Sequence, residues 1–171
     1  MILRRERSGD LPAIREVHRR AFARGDEVPA EVALLDALRA DGALVEPCCL
    51  VAEAGIEIVG HVTVSLGFVD GVPGRLVGLG PIAVLPDHQG RGVGSALMHA
   101  VLAAADALDV EGVVLLGHEH WYPRFGFAPA APHGITAPDP AWPQANFMLR
   151  RLTAWTAPRG TFGYAEAFSR L

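Results

Sequence analysis

Hydrophobic positions in the first fifty residues change from a strand-like to a helix-like spacing. Residues 2–7 predict a short strand. Asp10 can cap the helix that follows, in which Pro12 occupies the first turn and apolar residues recur every three or four positions. The same spacing predicts a second helix from about Pro29, which Gly42 ends. The chain therefore opens in the order β-α-α.

Apolar and β-branched runs dominate the middle of the chain. Residues 49–54 and 57–68 predict two strands joined at a glycine turn, and residues 75–85 predict a third, buried strand. Gly80-Pro81 interrupts this third strand. Because proline cannot donate to a β-ladder, we expect a bulge or a parting of strands there. A long helix follows, with a predicted apolar face of Val93, Ala96, Leu97, Ala100, Val101, Ala104 and Leu108.

The last third of the chain mixes short apolar runs with proline-rich stretches. Residues 113–116 predict a buried strand, and residues 121–125 a short helical turn. Residues 128–143 are rich in Pro and Ala and predict an ordered surface loop, and residues 145–152 predict a last strand. The tail to Leu171 has enough apolar residues to pack back on the rest. The order β-α-α-β-β-β-α-β-α-β is that of a mixed α/β domain.

Composition agrees with one globular domain that spans residues 1–171. Half of the residues (50%) are hydrophobic and 20% are charged, which favours a packed core. The net charge of -4 disfavours a nucleic-acid partner, since such proteins present basic surfaces. All 15 basic residues are Arg. The lack of Lys excludes a Walker-type phosphate loop and Schiff-base chemistry.

The cysteines and the first residues add little chemistry. Cys48 and Cys49 are adjacent, which is neither a disulfide framework nor a metal-ligand spacing. The first seven residues lack the apolar run of a signal peptide, and no stretch approaches the roughly 20 apolar residues of a membrane span. We therefore expect a cytoplasmic protein.

Three glycines between a predicted strand and a predicted helix carry the sharpest chemical signal. Gly90, Gly92 and Gly94 stand at every second position before an amphipathic helix. Such a loop can direct peptide N–H groups at an anion, and the helix N-terminus adds roughly half a positive charge. Arg91 and Ser95 can add donors to a phosphate. This loop predicts a pyrophosphate site that needs neither a metal nor Lys.

Two other interpretations of the glycines remain open. The dinucleotide fingerprint G-x-G-x-x-G fits Gly90 and Gly92 but meets Ser95 at the third glycine position, although an acidic residue, Glu119, follows the next strand. The loop can also be a helix start without a ligand. Glycines cost about 1 kcal/mol each inside a helix, which argues against three of them without a binding role.

The chain resembles the GNAT superfamily of N-acyltransferases. Residues 89–94, Gln-Gly-Arg-Gly-Val-Gly, match the family's glycine loop, and residues 80–86 look like its central strand. Residues 122–127, Tyr-Pro-Arg-Phe-Gly-Phe, look like its Tyr-x-x-x-Gly-Phe element. The resemblance extends to the closing residues 163–168. It implies a mixed sheet with splayed central strands around the strand, glycine loop and helix.

The resemblance implies acetyl-CoA as the cosubstrate and no metal. Its pyrophosphate would lie on the glycine-loop amides, and its pantetheine arm would pair with the central strand. The implied binding residues are Ile82, Ala83, Val84, Gln89, Gly90, Arg91, Gly92, Val93, Gly94 and Ser95. An amine would attack the thioester directly in a ternary complex.

Catalytic roles follow from the same resemblance. A strand N–H near Ala83 would stabilise the carbonyl oxygen. Tyr122 matches the family's acid, and a phenol with a pKa of about 10 is suited to protonating a departing thiolate. The base stays open between His118, Glu119 and water, and both residues have alternative structural roles. His118 and His120 lack a nearby third metal ligand.

The acceptor is the least determined part of the prediction. The resemblance directs attention to residues 24–27 and to the loop 128–143. Asp26, Glu27 and Glu31 can hold a cationic amine, or they are ordinary solvated acids at a helix start. A small amine, an amino sugar, an antibiotic or a protein amine all fit, and a homodimer is common in this family. A non-catalytic acyl-CoA-binding or sensing module and a nicotinamide-dinucleotide oxidoreductase are the alternative functions.

Overall fold

The structure, a computed structural model, describes residues 1–25 and 27–170. It contains three α-helices, α1 (Leu11–Ala21), α2 (Ala30–Ala40) and α3 (Val93–Asp106). Its nine strands are β1 (Ile2–Arg5), β2 (Leu50–Ala54), β3 (Glu57–Val69), β4 (Val72–Val84), β5 (Gly112–Leu116), β6 (Ala128–Pro129), β7 (Ile135–Thr136), β8 (Phe147–Arg151) and β9 (Gly160–Tyr164). The predicted mixed α/β class is confirmed.

One long hairpin organises the sheet. β3 and β4 have 13 residues each and pair antiparallel, and the strand order is β1-β2-β3-β4-β5-β8-β6. β5 pairs with β4 in parallel and with β8 in an antiparallel direction, so the sheet is mixed. β4 begins at Val72, three residues before the predicted Arg75, because Asp70 and Gly71 complete the hairpin turn with positive φ angles of 49° and 78°.

The predicted interruption at Gly80-Pro81 is a β-bulge. Val62 of β3 pairs with Ile82, whereas Val64 pairs with Leu79. One residue of β3, Thr63, is therefore opposite two residues of β4. The extra residue changes which backbone groups of β4 face β3, with consequences for the site described below.

The C-terminal third differs from its prediction. The loop 128–143 contains the short strands β6 and β7, and the tail contains β9, which pairs antiparallel with β3 and parallel with β7. β9 was missed because two of its five residues, Gly160 and Gly163, are glycines, which weaken a strand pattern. Its pairing depends on β3, whose last residues extend beyond the part that pairs with β2.

Helices cover both faces of the sheet. A Cβ on Gly60 of β3 would meet Val93 and Leu97 of α3, each at 3.0 Å. His61, the next residue, points to the other face and contacts His18 of α1. The inner face of α3 includes Val93, Leu97 and Val101 as predicted, but Leu108 lies beyond the helix end and is 45% exposed. Met98, Leu102 and Ala105 complete the buried face instead.

The start of α1 also differs from its prediction in one detail. Asp10 precedes the helix, but its carboxylate accepts hydrogen bonds from Arg7 N at 2.7 Å and from the Arg4 guanidinium. It therefore ties β1 to the turn before α1 and does not cap the helix amides. Among the described residues, no helix has the length and apolar character needed to cross a membrane.

Candidate functional site

β4 and β5 separate after Gly78, the last residue of β4 that pairs with β5. In the described part of the chain, β5 pairs with Leu76, Val77 and Gly78 of β4 and with no later residue. The remainder of β4 up to Val84 keeps β3 as its neighbour on one side only. The predicted parting of the central strands is thus confirmed, and we call the space between them the β4–β5 opening.

The last residues of β4 direct their backbone groups to alternate sides. Leu85 N–H donates to Val59 O of β3 at 2.9 Å. Because backbone groups alternate along a strand, Ala83 also faces β3. Ile82 and Val84 therefore present their N–H groups to the β4–β5 opening. The peptide N–H of Ala83, which was expected to face a ligand, is directed at the neighbouring strand, and its side chain is only 3% exposed.

The glycine loop is shaped by two left-handed residues. Gly90 and Gly92 have φ angles of 71° and 83°, which L side chains rarely adopt. Gly92 is the N-cap of α3, and the first intrahelical bond runs from Ala96 N to Gly92 O. The amides of residues 93–95, which lie between Gly92 and Ala96, have no acceptor within the helix. The first turn of α3 contains no acidic residue, so the positive end of the helix is not neutralised.

The side chain of Gln89 connects this loop to β4. Its Nε2 donates to Val84 O at 2.9 Å. This bond occupies the carbonyl that Val84 presents to the β4–β5 opening, while the Val84 N–H on the same side stays available. Gln89 therefore holds the loop against the end of the strand.

A cavity of about 650 Å³ lies between the end of β4, the glycine loop, the first turn of α3 and the turn at residues 121–124. Of the predicted cosubstrate-binding residues, all except Ala83 and Arg91 line it, and so do His118 and Tyr122; the binding residues are Ile82, Val84, Gln89, Gly90, Gly92, Val93, Gly94 and Ser95. Arg91 has an exposed side chain outside the lining. Residues from three separate segments thus form one wall.

Two lining residues were not predicted. Trp121 lies against the helix start, since a Cβ on Gly94 would stand 3.5 Å from its ring. Arg124 donates from Nε to Trp121 O at 3.0 Å and places its guanidinium 5.9 Å from the Trp121 ring centre. Both belong to the segment around Tyr122, so the signal was present, but the direction of these side chains depends on how the turn packs on α3. Arg124 gives the cavity a cation.

Tyr122 is half-buried among aromatic rings. It makes edge contacts with Trp121 at 4.8 Å and with Phe127 at 5.8 Å between ring centres. Its ring also lies on Gly117, where an added Cβ would stand 2.1 Å from Cε2. Burial raises the pKa of Tyr122 to about 12, because the phenolate would lose hydration. Tyr122 is therefore protonated at neutral pH.

The candidate bases differ in position. His118 is exposed at the edge of the cavity, and its carbonyl accepts Trp121 N–H at 3.1 Å at the start of the turn. Glu119 is exposed and does not line the cavity. His120 is 91% exposed, with Nε2 3.4 Å from Glu119 Oε1. Within residues 1–25 and 27–170, no group of three or more His, Cys, Asp or Glu side chains could hold a metal ion.

The acidic residues predicted near the acceptor lie apart from this cavity. Glu27 is exposed and Glu31 is half-buried at the start of α2, and neither lines the cavity. Asp26 lies outside the described residues. The loop 128–143, the other predicted acceptor region, contributes to a separate cavity of about 350 Å³.

A buried polar chain lies on the α1 face of the sheet and includes His61 of β3. His18 Nε2 is 2.9 Å from His61 Nδ1, and His61 Nε2 is 2.7 Å from Glu6 Oε2, which also accepts from Arg39. Because the carboxylate only accepts, His61 donates from Nε2 and accepts at Nδ1 from His18. Burial lowers the pKa of His18 to about 2 and also lowers that of His61. Both imidazoles are neutral at physiological pH and link α1 to the sheet.

Comparison with known proteins gives consistent matches. Residues 46–129 match the family described as Acetyltransferase (GNAT) domain. The uncharacterized N-acetyltransferase YhbS of Escherichia coli strain K12 is 32% identical over 174 residues, which covers 99% of both chains. The uncharacterized N-acetyltransferase YjhQ of the same strain is 35% identical over 150 residues, 85% of this chain and 81% of YjhQ.

Solved structures agree with these matches. The GNAT family N-acetyltransferase YhbS from Escherichia coli, solved in complex with CoA, has a TM-score of 0.90 at 32% identity and covers 99% of this chain and 92% of its own. A GNAT family acetyltransferase from Brucella melitensis, solved in complex with acetyl-CoA, has a TM-score of 0.79 at 33% identity, with 98% and 97% coverage.

Proposed function

The chain belongs to the GNAT family of N-acetyltransferases, and from this premise we propose that it transfers the acetyl group of acetyl-CoA to a primary amine. The amine attacks the thioester directly, with both substrates bound together. The observation that carries the proposal is the single cavity that unites free helix-start amides with a protonated, half-buried Tyr122. CoA and acetyl-CoA in the two related structures support the choice of cosubstrate.

The glycine loop and the start of α3 bind the pyrophosphate. The peptide N–H groups from Gly90 to Ser95 donate to its oxygens, and the helix dipole adds favourable charge. Arg124, at the cavity wall, adds a guanidinium that can reach the same anion. The residues present fit the group, because the first turn of α3 has no carboxylate to repel it.

The edge of β4 binds the pantetheine arm. Ile82 and Val84 present N–H groups to the β4–β5 opening, whereas Ala83 is engaged with β3. We assign pairing with the arm to Ile82 and Val84. The N–H of Ile82, beside the bulge, replaces that of Ala83 as the donor to the thioester carbonyl oxygen.

Proton transfers complete the reaction. The nitrogen of the amine forms a bond to the carbonyl carbon, and the carbon–sulfur bond then breaks. Tyr122 donates its phenolic proton to the departing thiolate and is reprotonated from solvent. His118, at the cavity edge, accepts the proton that the nitrogen loses, directly or through water.

Substitution of Tyr122 by Phe tests the proposal against a module that only binds acyl-CoA. Thiol release from acetyl-CoA is followed with a panel of primary amines, and binding of acetyl-CoA is measured by calorimetry. We expect Tyr122→Phe to lower kcat at least tenfold while the Kd for acetyl-CoA changes less than threefold. A wild-type protein that binds acetyl-CoA but releases no thiol with any amine would favour the binding module.

A further inference from the structure

Trp121 contacts both the start of α3 and the proposed acid Tyr122. A Cβ on Gly94 would stand 3.5 Å from Trp121 Cζ2 and 3.7 Å from Val84 Cγ2. The indole also makes an edge contact with the Tyr122 ring, at 4.8 Å between ring centres. All four residues line the cavity of about 650 Å³ beside the glycine loop, which we call the glycine-loop cavity. One half-buried side chain thus joins the glycine at the helix start to the acid.

Backbone and ring contacts hold Trp121 in this place. Its N–H donates to His118 O at 3.1 Å, and its carbonyl accepts Arg124 Nε–H at 3.0 Å. The indole meets Phe125, which is buried, in an edge contact at 4.8 Å. Phe125 in turn contacts His99 of α3 at 5.2 Å. The indole is therefore attached to α3 both directly and through Phe125.

Packing holds the phenol of Tyr122. Among the described residues, none forms a hydrogen bond with Tyr122 Oη, and burial is the cause of its raised pKa. Its ring rests on Gly117, touches Phe127 at 5.8 Å and meets the edge of Trp121. A general acid must stand within hydrogen-bond reach of the atom that it protonates. Because no polar partner orients this hydroxyl, its position depends on these three neighbours.

Of the three neighbours, Trp121 is the one on the cavity wall. Gly117 and Phe127 are not part of the lining, and Phe127 is buried. Removal of the indole would therefore open a space beside the phenol that is continuous with the cavity. Water would enter this space, and the phenol ring would be free to turn into it. The indole thus restricts the acid on the side from which a ligand approaches.

We propose that Trp121 is a positioning residue: its indole holds the Tyr122 hydroxyl at the departing sulfur and keeps water away from it on the cavity side. The inference rests on the proposed acetyltransferase activity. Placement matters because a displacement of about 1 Å of a catalytic group can cost about a hundredfold in rate. The same indole also lies 5.9 Å from the Arg124 guanidinium, which gives it a smaller effect on cosubstrate affinity.

Thiol release at saturating acetyl-CoA, with the most reactive amine of the panel, tests the position of the acid. We expect Trp121→Ala to lower kcat at least tenfold, and Trp121→Leu, which keeps apolar volume without an aromatic edge, to do the same. Trp121→Phe keeps an aromatic edge and should stay within threefold of the wild type. The Kd for acetyl-CoA should rise no more than about fivefold in Trp121→Ala, because the loop amides are unchanged.

A double variant shows whether the indole acts through the acid. If it does, Trp121→Ala/Tyr122→Phe should turn over no more slowly than the slower of its two parents, because the indole then has no acid left to position. Losses that multiply in the double variant would mean that Trp121 affects turnover by another route.

Titration of the phenol gives a readout that a general loss of stability would not move. The chain has two tyrosines, so Tyr122 is the single titrating phenol in a Tyr164→Phe background. Tyr164 Oη has no hydrogen-bond partner among the described residues, so this background breaks no hydrogen bond that the structure shows. Tyrosinate absorbance should give a lower pKa for Tyr122 when Trp121→Ala is added, because water then reaches the phenolate. Trp121→Phe should leave this pKa closer to that of the parent.

Trp155→Ala is the matched control. Trp155 is half-buried like Trp121, but it packs beside His133, at 6.5 Å between ring centres, and does not line the glycine-loop cavity. Its truncation should lower the Tm and leave both kcat and the pKa of Tyr122 unchanged.

The outcomes separate this inference from the proposed function. An active wild type with an unchanged kcat in Trp121→Ala and Trp121→Leu, multiplied losses in the double variant, or an unchanged pKa of Tyr122 would overturn the inference and leave the proposed function standing. A wild-type protein that releases no thiol with any amine would overturn both.

Discussion

The ring of Tyr122 rests directly on the backbone of Gly117. A methyl group added to Gly117 would stand 2.1 Å from Cε2 of Tyr122, closer than atoms can approach without movement. Gly117 follows β5, and its backbone is fixed by two hydrogen bonds to Asn146. The glycine therefore determines where the proposed acid stands in the cavity.

Gly117→Ala should displace Tyr122 and lower kcat at least tenfold, with a smaller change in the Kd for acetyl-CoA. Steady-state thiol release and calorimetry measure the two effects. Gly9→Ala is the control, since a Cβ there meets nothing within 4 Å. If the substitution acts through Tyr122, the double variant Gly117→Ala/Tyr122→Phe should be no slower than the slower single variant. Additive losses would contradict this explanation.

Gly92→Asp should weaken binding of acetyl-CoA by placing a carboxylate at the N-cap of α3. Gly92→Asn has nearly the same shape and the same tolerance of the positive φ, so the difference between the two isolates charge. A unit charge near the pyrophosphate costs about 1–4 kcal/mol, which predicts at least a fivefold higher Kd for Asp than for Asn by calorimetry. Equal Kd values would place the pyrophosphate elsewhere.

The same substitution far from the cavity controls for backbone strain. Gly74, near the start of β4, has a φ of 96°, and a Cβ there meets nothing within 4 Å. Gly74→Asp should leave the Kd for acetyl-CoA unchanged.

The buried imidazole of His18 should make the fold sensitive to mild acid. Burial holds its folded-state pKa near 2, below the unfolded value of about 6.5. Below pH 6.5 the unfolded chain therefore binds a proton that the folded chain does not. The free energy of unfolding should be at its full value above that pH and fall by up to about 1.4 kcal/mol per unit as the pH drops, with His61 adding in the same direction.

His18→Gln keeps a donor for His61 but cannot titrate. Urea unfolding at pH 7, 6 and 5 should show a smaller loss of stability in this variant than in the wild type. His120→Gln, at a 91% exposed position, should keep the wild-type pH dependence. An unchanged slope in His18→Gln would mean that His18 is not the group that takes up the proton on unfolding.

Phe162 anchors β9 to the sheet. It is fully buried and packs against Phe147 at 6.2 Å and Tyr164 at 4.8 Å between ring centres. Phe162→Ala should lower the free energy of unfolding by about 3–5 kcal/mol, measured by urea titration. Val72→Ala, at a 58% exposed position, should change it by less than about 0.5 kcal/mol. A loss under 1 kcal/mol in Phe162→Ala would show that β9 contributes little to the core.

Local patterns carried most of the fold prediction. The hairpin of β3 and β4, the glycine loop and α3 follow one another within some fifty residues, and the spacing of their apolar and glycine residues is a local property. β9 was missed because Gly160 and Gly163 weaken its strand pattern, and its partner Phe68 is nearly a hundred residues away. The predicted inner face of α3 was wrong at its C-terminal end, because Leu108 lies beyond Asp106, the last residue of the helix.

The site, like the fold, was predicted where it depends on local motifs and missed where it depends on tertiary geometry. Gln89 to Ser95 and Tyr122 were predicted from residue types at fixed spacings, and all of them except Arg91 line one cavity. The direction of the Ala83 amide was not predictable, because one extra residue at the Gly80-Pro81 bulge reverses which side each later peptide faces.

The sequence by itself determined a strand, a glycine loop and a helix that begins with unpaired amides, since backbone freedom and helix dipoles depend only on neighbouring residues. Tertiary structure alone decided that Ile82 and Val84 face the β4–β5 opening, that Gly117 supports Tyr122, and that Trp121 packs on Gly94. These relationships join segments that are distant in the chain, and strand register and close packing create them only when the sheet has formed.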